Sequence, residues 1–150
     1  MVTVAPPDTW TYALLLPRDP RAARVARMTA RAVLGGHGRS EVSDVVELLV
    51  SELVTNVYLH TDGPASLRFA GLGDGRIRVG VRDRHPYIPA PFADPPGDRL
   101  KVAPLDGEGG RGLQLVQEYA DWWGGLPLGR GAGKRLWFEI GGRSRAFGAG

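Results

Sequence analysis

Glu52, Asn56 and His60 lie four residues apart in the stretch Val45 to His60, VVELLVSELVTNVYLH. On a helix this spacing stacks them on one face, about a turn from each other. A carboxylate one turn from a carboxamide can hold a water or a hydrated cation. The glutamate can take a proton. The asparagine can offer an oxygen to a hard metal such as Mg²⁺, which favours oxygen ligands and usually shares them with phosphates. Taken alone, the same three residues also describe an ordinary solvated helix face.

A second candidate is the glycine-rich run GEGGRGL, ending at Leu113. Where such a run opens a helix, the free N–H groups and the helix dipole favour anions, and glycine lets the backbone approach closely. Glycines also make flexible loops, so the run is weak evidence by itself. It does not follow GxxxxGK[ST], nor is it a GxGxxG after a strand, which excludes a P-loop ATPase and a dinucleotide-binding fold.

These groups need elements to position them. The helix that carries Glu52 has apolar residues at helical spacing: Val42, Val45, Val46, Leu49, Leu53 and Val57. Ser40 is its expected cap. A first strand is expected over Trp10 to Pro17, followed by a helix from Arg21 to about Leu34, capped by Asp19 and opened by Pro20. Ala22, Val25, Ala26, Thr29 and Val33 form its inward face. Arg21, Arg24, Arg27 and Arg31 form a basic stripe that is either a solvated face or a partner surface. Ala65 to Ala70 and Arg76 to Asp83 read as a hairpin around Gly71 to Gly75, with Ile77, Val79 and Val81 inward and Arg76, Arg78 and Arg82 outward.

From His85 to about Gly110 periodicity fails and prolines recur, the pattern of a functional lid or a disordered stretch. A third helix follows, with Leu113, Val116, Tyr119 and Ala120 on one side. Strands near Trp122 to Leu128 and over Arg135 to Ile140 close the chain. Layers follow from helices with single apolar faces and alternating strands: an α/β two-layer sandwich, a mixed, mainly antiparallel sheet with three helices on one face. Residues 1–140 are expected to form one domain and 141–150 a frayed tail.

Composition narrows the classes. The 150 residues are 43% hydrophobic, enough for a real core, and contain no cysteine. That excludes a disulfide scaffold, a Cys-ligated zinc site and a thiol nucleophile, and it fits a reducing cytoplasm. No apolar run approaches a membrane span, and the N-terminus does not read as a signal peptide. The net charge of +3 is carried almost wholly by arginine, Lys101 and Lys134 being the only lysines. The excess is small and comes with no zinc-finger or aromatic RNA-binding pattern, so direct nucleic-acid binding is not expected.

The order of these features is more specific than any one of them. A helix carries Glu-x-x-x-Asn, a strand ends in Asp83, a long lid leads to a glycine-rich turn and a helix, and Gly133-Lys134 opens the last strand. This resembles the GHKL, or Bergerat-fold, ATPase superfamily, and within it the anti-sigma-factor serine kinases and their actinobacterial relatives. SELVTNVYLH resembles the family's N box, VRDRHP stands at its G1 box, GGRGLQLVQEYADWWG resembles its G2 box, and GKRLWFEI its final strand.

The resemblance implies ATP and Mg²⁺ as cofactors. It implies that Glu52 is the general base and that Asn56 coordinates Mg²⁺. It also implies that Asp83 receives the adenine amino group, and that Gly110, Arg111, Gly112 and Leu113 line the triphosphate. His60 and Lys134, in the N box and the final strand, join the nucleotide-binding set. The chain departs from the pattern twice: neither glycine of Asp-x-Gly-x-Gly follows Asp83, and Arg135 replaces the usual Thr, where it either blocks the adenine pocket or points outward. The function implied is an ATP-binding anti-sigma-factor-type regulator with serine/threonine kinase activity on an anti-sigma-factor antagonist. The alternatives are a partner-sequestering module of the same fold with little kinase activity and, less in keeping with the sequence, a detached histidine-kinase catalytic domain. The implied partners are a sigma factor, an anti-sigma-factor antagonist protein, or both; a homodimer is a further expectation. The basic stripe of the first helix would meet an acidic surface.

Overall fold

The structure, a computed structural model, describes residues 9–93, 97–98 and 111–141. Six strands form one sheet: β1 (Thr9–Leu16), β2 (Ala65–Leu72), β3 (Arg76–Asp83), the two-residue β4 (Gly97–Asp98), β5 (Trp122–Pro127) and β6 (Lys134–Gly141), in the order β1-β2-β3-β6-β5-β4. Every ladder is antiparallel, so the sheet is simpler than the mixed one expected. Helices α1 (Ala22–Gly36), α2 (Ser43–His60) and α3 (Arg111–Tyr119) complete an α/β two-layer fold, with a 3₁₀ turn at Ser40–Val42 leading into α2.

Alternation decides which sheet face meets the helices. Leu67 and Phe69 of β2, Ile77, Val79 and Val81 of β3, and Leu136, Phe138 and Ile140 of β6 are all buried. They face Ala26, Ala30 and Leu34 of α1, Leu49, Val50 and Leu53 of α2, and Val116 of α3, which belong to the same core. Burying one such aliphatic or aromatic side chain contributes about 1.5–3 kcal/mol, so this single layer holds the domain together. The alternate residues, among them Arg68, Arg82, Arg135 and Trp137, stand on the other face, where none of the described helices lies.

Three expected details differ. Val25 is exposed and Ala30 and Leu34 are buried, so α1 presents a face rotated from the one expected. Tyr119 is exposed because α3 stops there and Ala120, one residue on, turns into the core. The proline-rich segment is not wholly structureless: Phe92 is fully buried and Ile88 packs against the core. Asp19 behaves as the expected cap in one respect, accepting the Arg21 amide on Oδ1 at 2.8 Å, although the regular helix begins at Ala22. Of the expected tail, 141–150, Gly141 ends β6, and 142–150 lie outside the described residues.

Candidate functional site

The sheet delivers two charged groups to its inner face. Asp83 closes β3 in step with Ile77, Val79 and Val81, and its Cα pairs in register with that of Lys134, the first residue of β6. Both are 3% exposed. Lys134 Nζ donates to Asp83 Oδ1 at 2.8 Å and to the His85 carbonyl at 3.1 Å, and the His85 amide donates to the same Oδ1 at 2.8 Å. Asp83 Oδ2 has no partner among the described residues. Gly133 makes the approach possible. Its φ is +97°, and a Cβ there would lie 1.9 Å from the Asp83 carbonyl oxygen, so only glycine fits.

Helix α2 divides its polar groups between two flanks. One flank is tied to α1. Arg31 donates to Glu47 at 2.7 and 3.2 Å, Ser43 Oγ donates to Glu47 at 2.5 Å, and Arg27 donates to Ser51 Oγ at 2.9 Å. The Arg31 hydrogen bond holds the Glu47 carboxyl below the usual carboxylate range; burial opposes this and Ser43 adds to it. At the end of α2, Arg18 donates to the carbonyls of Tyr58 and Thr61 and lies 4.6 Å over the Tyr58 ring. These two carbonyls are among those a helix leaves unpaired at its C-terminus.

The opposite flank carries Glu52 and Asn56, both half-buried, and His60, which is exposed. None of the three has a hydrogen bond or ion pair among the described residues. On this helix the polar side chains facing α1 are consumed by structure, whereas Glu52 and Asn56 present open oxygens one turn apart. Among the described residues no three or more His, Asp or Glu gather as a protein metal cage. A cation here would therefore take few protein ligands.

The glycine-rich candidate is only partly described. Gly110 lies outside the described residues, and Arg111 and Gly112 form the first turn of α3. Leu113 is buried, so its side chain belongs to the core and not to a phosphate site. What it has to offer an anion is its backbone N–H, one of the four that a helix leaves without intrahelical partners at its start. Helix α3 packs against α2, which places that start in the same layer as Glu52 and Asn56.

Arg135 points outward. It is the neighbour of Lys134 in an alternating strand, so it stands on the helix-free face, opposite Arg82, and leaves the Asp83 recess clear. The arginine stripe of α1 is not one free surface. Arg21 is bound to Asp19 at 2.8 Å, Arg31 to Glu47, and Arg27 to Ser51; of the four, Arg24 alone has no partner among the described residues. Two groups escaped the sequence reading. The pairing of Lys134 with Asp83 depends on register between strands distant in the chain. Glu139, 2% exposed, accepts from Arg76 and Arg78 on the outer face; its place in an alternating strand opposite two arginines is the signal that could have revealed it.

Residues 16–123 match a family model described as the histidine kinase-like ATPase domain. The chain belongs to this family. No curated protein matches it. ATP is the ligand that membership in this ATPase family implies. The matched span contains Glu52, Asn56, His60, Asp83 and Gly110 to Leu113, whereas Lys134 lies beyond it. The ATPase domain's own groups fit such a ligand. A recessed carboxylate keeps one oxygen open, two unpaired oxygen-bearing side chains stand on α2, and α3, whose start carries free N–H groups, packs against that helix.

Proposed function

We propose that this ATPase domain is an anti-sigma-factor-type regulator that transfers phosphate from Mg²⁺–ATP to a serine or threonine of an anti-sigma-factor antagonist protein, in the cytoplasm. The observation that carries the proposal is the open Glu52–Asn56 pair on a helix whose other polar flank is fully engaged. Glu52 takes the proton of the attacking hydroxyl as its oxygen bonds to the terminal phosphorus. The bond between that phosphorus and the bridging oxygen breaks, and ADP carries away the electron pair. Asn56 would offer an oxygen to Mg²⁺, whose charge would offset that of the phosphates; such sites use few protein ligands beside the phosphate oxygens. Asp83 holds the adenine amino group through Oδ2, and Lys134 fixes the orientation of the carboxylate through Oδ1. The N–H groups at the start of α3, with His60 at the end of α2, border the phosphates. Arg24, with Arg21, Arg27 and Arg31 around it, faces an acidic surface of the sigma factor or of the antagonist.

One observation favours a second reading, a sequestering module that binds its partner with little transfer. Lys134 already occupies one oxygen of Asp83, and Arg84-His85-Pro86 follows where glycines usually give the backbone freedom. The two readings separate in one experiment. Wild type and Glu52→Gln are titrated with ATP, with and without Mg²⁺, and then incubated with Mg²⁺–ATP and an antagonist-type protein, with phosphorylation read by mass spectrometry. The kinase reading expects affinity within a few-fold and transfer lowered by about 10²–10⁴-fold in Glu52→Gln. Transfer equal in the two proteins removes Glu52 from the mechanism, and tight binding without transfer by wild type establishes the module.

A further inference from the structure

The outer face of the sheet carries a feature that nucleotide chemistry does not use. Read across the strands in register, Ser66, Arg82, Arg135 and Leu126 form one row, and Arg68, Gly80, Trp137 and Gly124 form the next. All of these except Gly124, together with Ala70 and Arg78, line a pocket of about 440 Å³. That volume lies within the range of small-molecule sites. Its floor is low because Gly80 has no side chain in mid-strand. A Cβ at Gly80 would make only ordinary contacts, the nearest at 3.5 Å, so packing does not demand the glycine.

The charges around this floor are unbalanced. Arg76 and Arg78 are neutralised by Glu139, and Arg76 also by Asp74. Arg68, Arg82 and Arg135 have no hydrogen bond or ion pair among the described residues. Arg82 and Arg135 are directly opposed across the ladder, and Arg68 is on the diagonal from Arg82. Directly opposed side chains stand about 5 Å apart at Cβ, and like charges in that position destabilise a sheet. An anion between the guanidinium groups would remove the repulsion and would find planar, forked donors suited to phosphate or carboxylate. The Ser66 hydroxyl adds a donor beside Arg82. Trp137 gives a rigid wall: Arg78 lies 4.9 Å from its ring centroid, and its ring covers Gly124, where a Cβ would come within 2.5 Å.

We propose that this outer-face pocket binds a compact polyanion, a small molecule with two or more phosphate or carboxylate groups, at a site separated by the sheet from the Asp83 recess. The occupant is small because the pocket's one ring already lies against Arg78 and Gly124, leaving little for a nucleic-acid base to stack on. A second copy of the same face would set arginine against arginine.

The test titrates the full chain at 0.15 M salt, where screening suppresses diffuse attraction. The probes are pyrophosphate, citrate, ATP and a single-stranded DNA oligonucleotide, followed by amide NMR shifts and thermal unfolding. Pyrophosphate or citrate is expected to shift the amides of Ser66, Arg68, Gly80, Arg82 and Arg135 and to raise Tm. Arg82→Gln with Arg135→Gln, and separately Gly80→Val, should each weaken that binding by at least about tenfold, equivalent to 1.4 kcal/mol. Mg²⁺–ATP affinity at the Asp83 recess should stay the same. Preference for pyrophosphate identifies a phosphate-bearing ligand, and preference for citrate a polycarboxylate. Shifts confined to the inner face, equal affinity in both variants, or tighter binding of the oligonucleotide at the same amides would each overturn the proposal.

Discussion

Lys134→Met should destabilise the protein far more than an exposed lysine would. The ammonium and the Asp83 carboxylate are 2.8 Å apart and 3% exposed. At an effective dielectric constant near 20 their attraction is about 6 kcal/mol. Most of that offsets the desolvation of two ions while both are present, so the intact pair adds little net stability. Removing the lysine alone leaves a buried carboxylate supported only by the His85 amide. Loss of one partner of a buried pair costs about 3–5 kcal/mol. For a chain of this length that is a fall in Tm of roughly 6–20 °C. Urea and thermal unfolding followed by circular dichroism measure it. Asp83→Asn combined with Lys134→Met removes the stranded charge and should recover at least half of the loss, giving a coupling energy above about 1 kcal/mol. A single mutant within about 1 kcal/mol of wild type would refute the reasoning, because the two groups would then be solvated independently.

Gly133→Ala should cost at least about 3 kcal/mol, read as a fall in Tm, since it combines a left-handed φ with a clash against the Asp83 carbonyl. Glu47 has a folded-state pKa below its unfolded one, so the stability it contributes is present at neutral pH and is lost as pH falls below about 4.3. Glu47→Gln should therefore flatten the acid limb of the stability curve and cost about 1–2 kcal/mol at pH 7, the exposure of Arg31 limiting the effect. Arg135→Thr should leave ATP affinity within twofold by calorimetry, because that arginine faces away from the recess.

The parts of the fold with a strict period were legible in the sequence. β3 runs over the expected residues because every second side chain from Ile77 to Val81 is apolar and arginines at 76, 78 and 82 alternate with them. The Glu52 helix was legible because apolar side chains recur at helical spacing through Val57, and most of them are buried. The α1 face was misplaced because alanine carries almost no hydrophobic contrast: Val25 outranks Ala30 in hydrophobicity, yet Ala30 is the one buried. The burial of Leu113 was not legible, because its place beside the glycines is local information, whereas burial is tertiary. The direction of Arg135 was already contained in the alternation of Leu136 and Phe138. The bond from Lys134 to Asp83 was not, since no local pattern states which strands lie side by side.

The position of β6 also has a consequence for how the chain is made. β3 pairs with β2 on one side, a partner only a turn away, and with β6 on the other. Residues 9–83 emerge from the ribosome before β6, and with them β1, β2, β3, α1 and α2, which pair and pack among themselves. Until Lys134–Gly141 appears, the middle of the sheet is an open edge, and Asp83 waits there without its counter-ion. Open edges of this kind invite pairing with other chains. The outward arginines of β3, at 76, 78 and 82, line the exposed face of that edge and set like charges against any second nascent copy, so the charge that distinguishes the finished surface also guards the unfinished one.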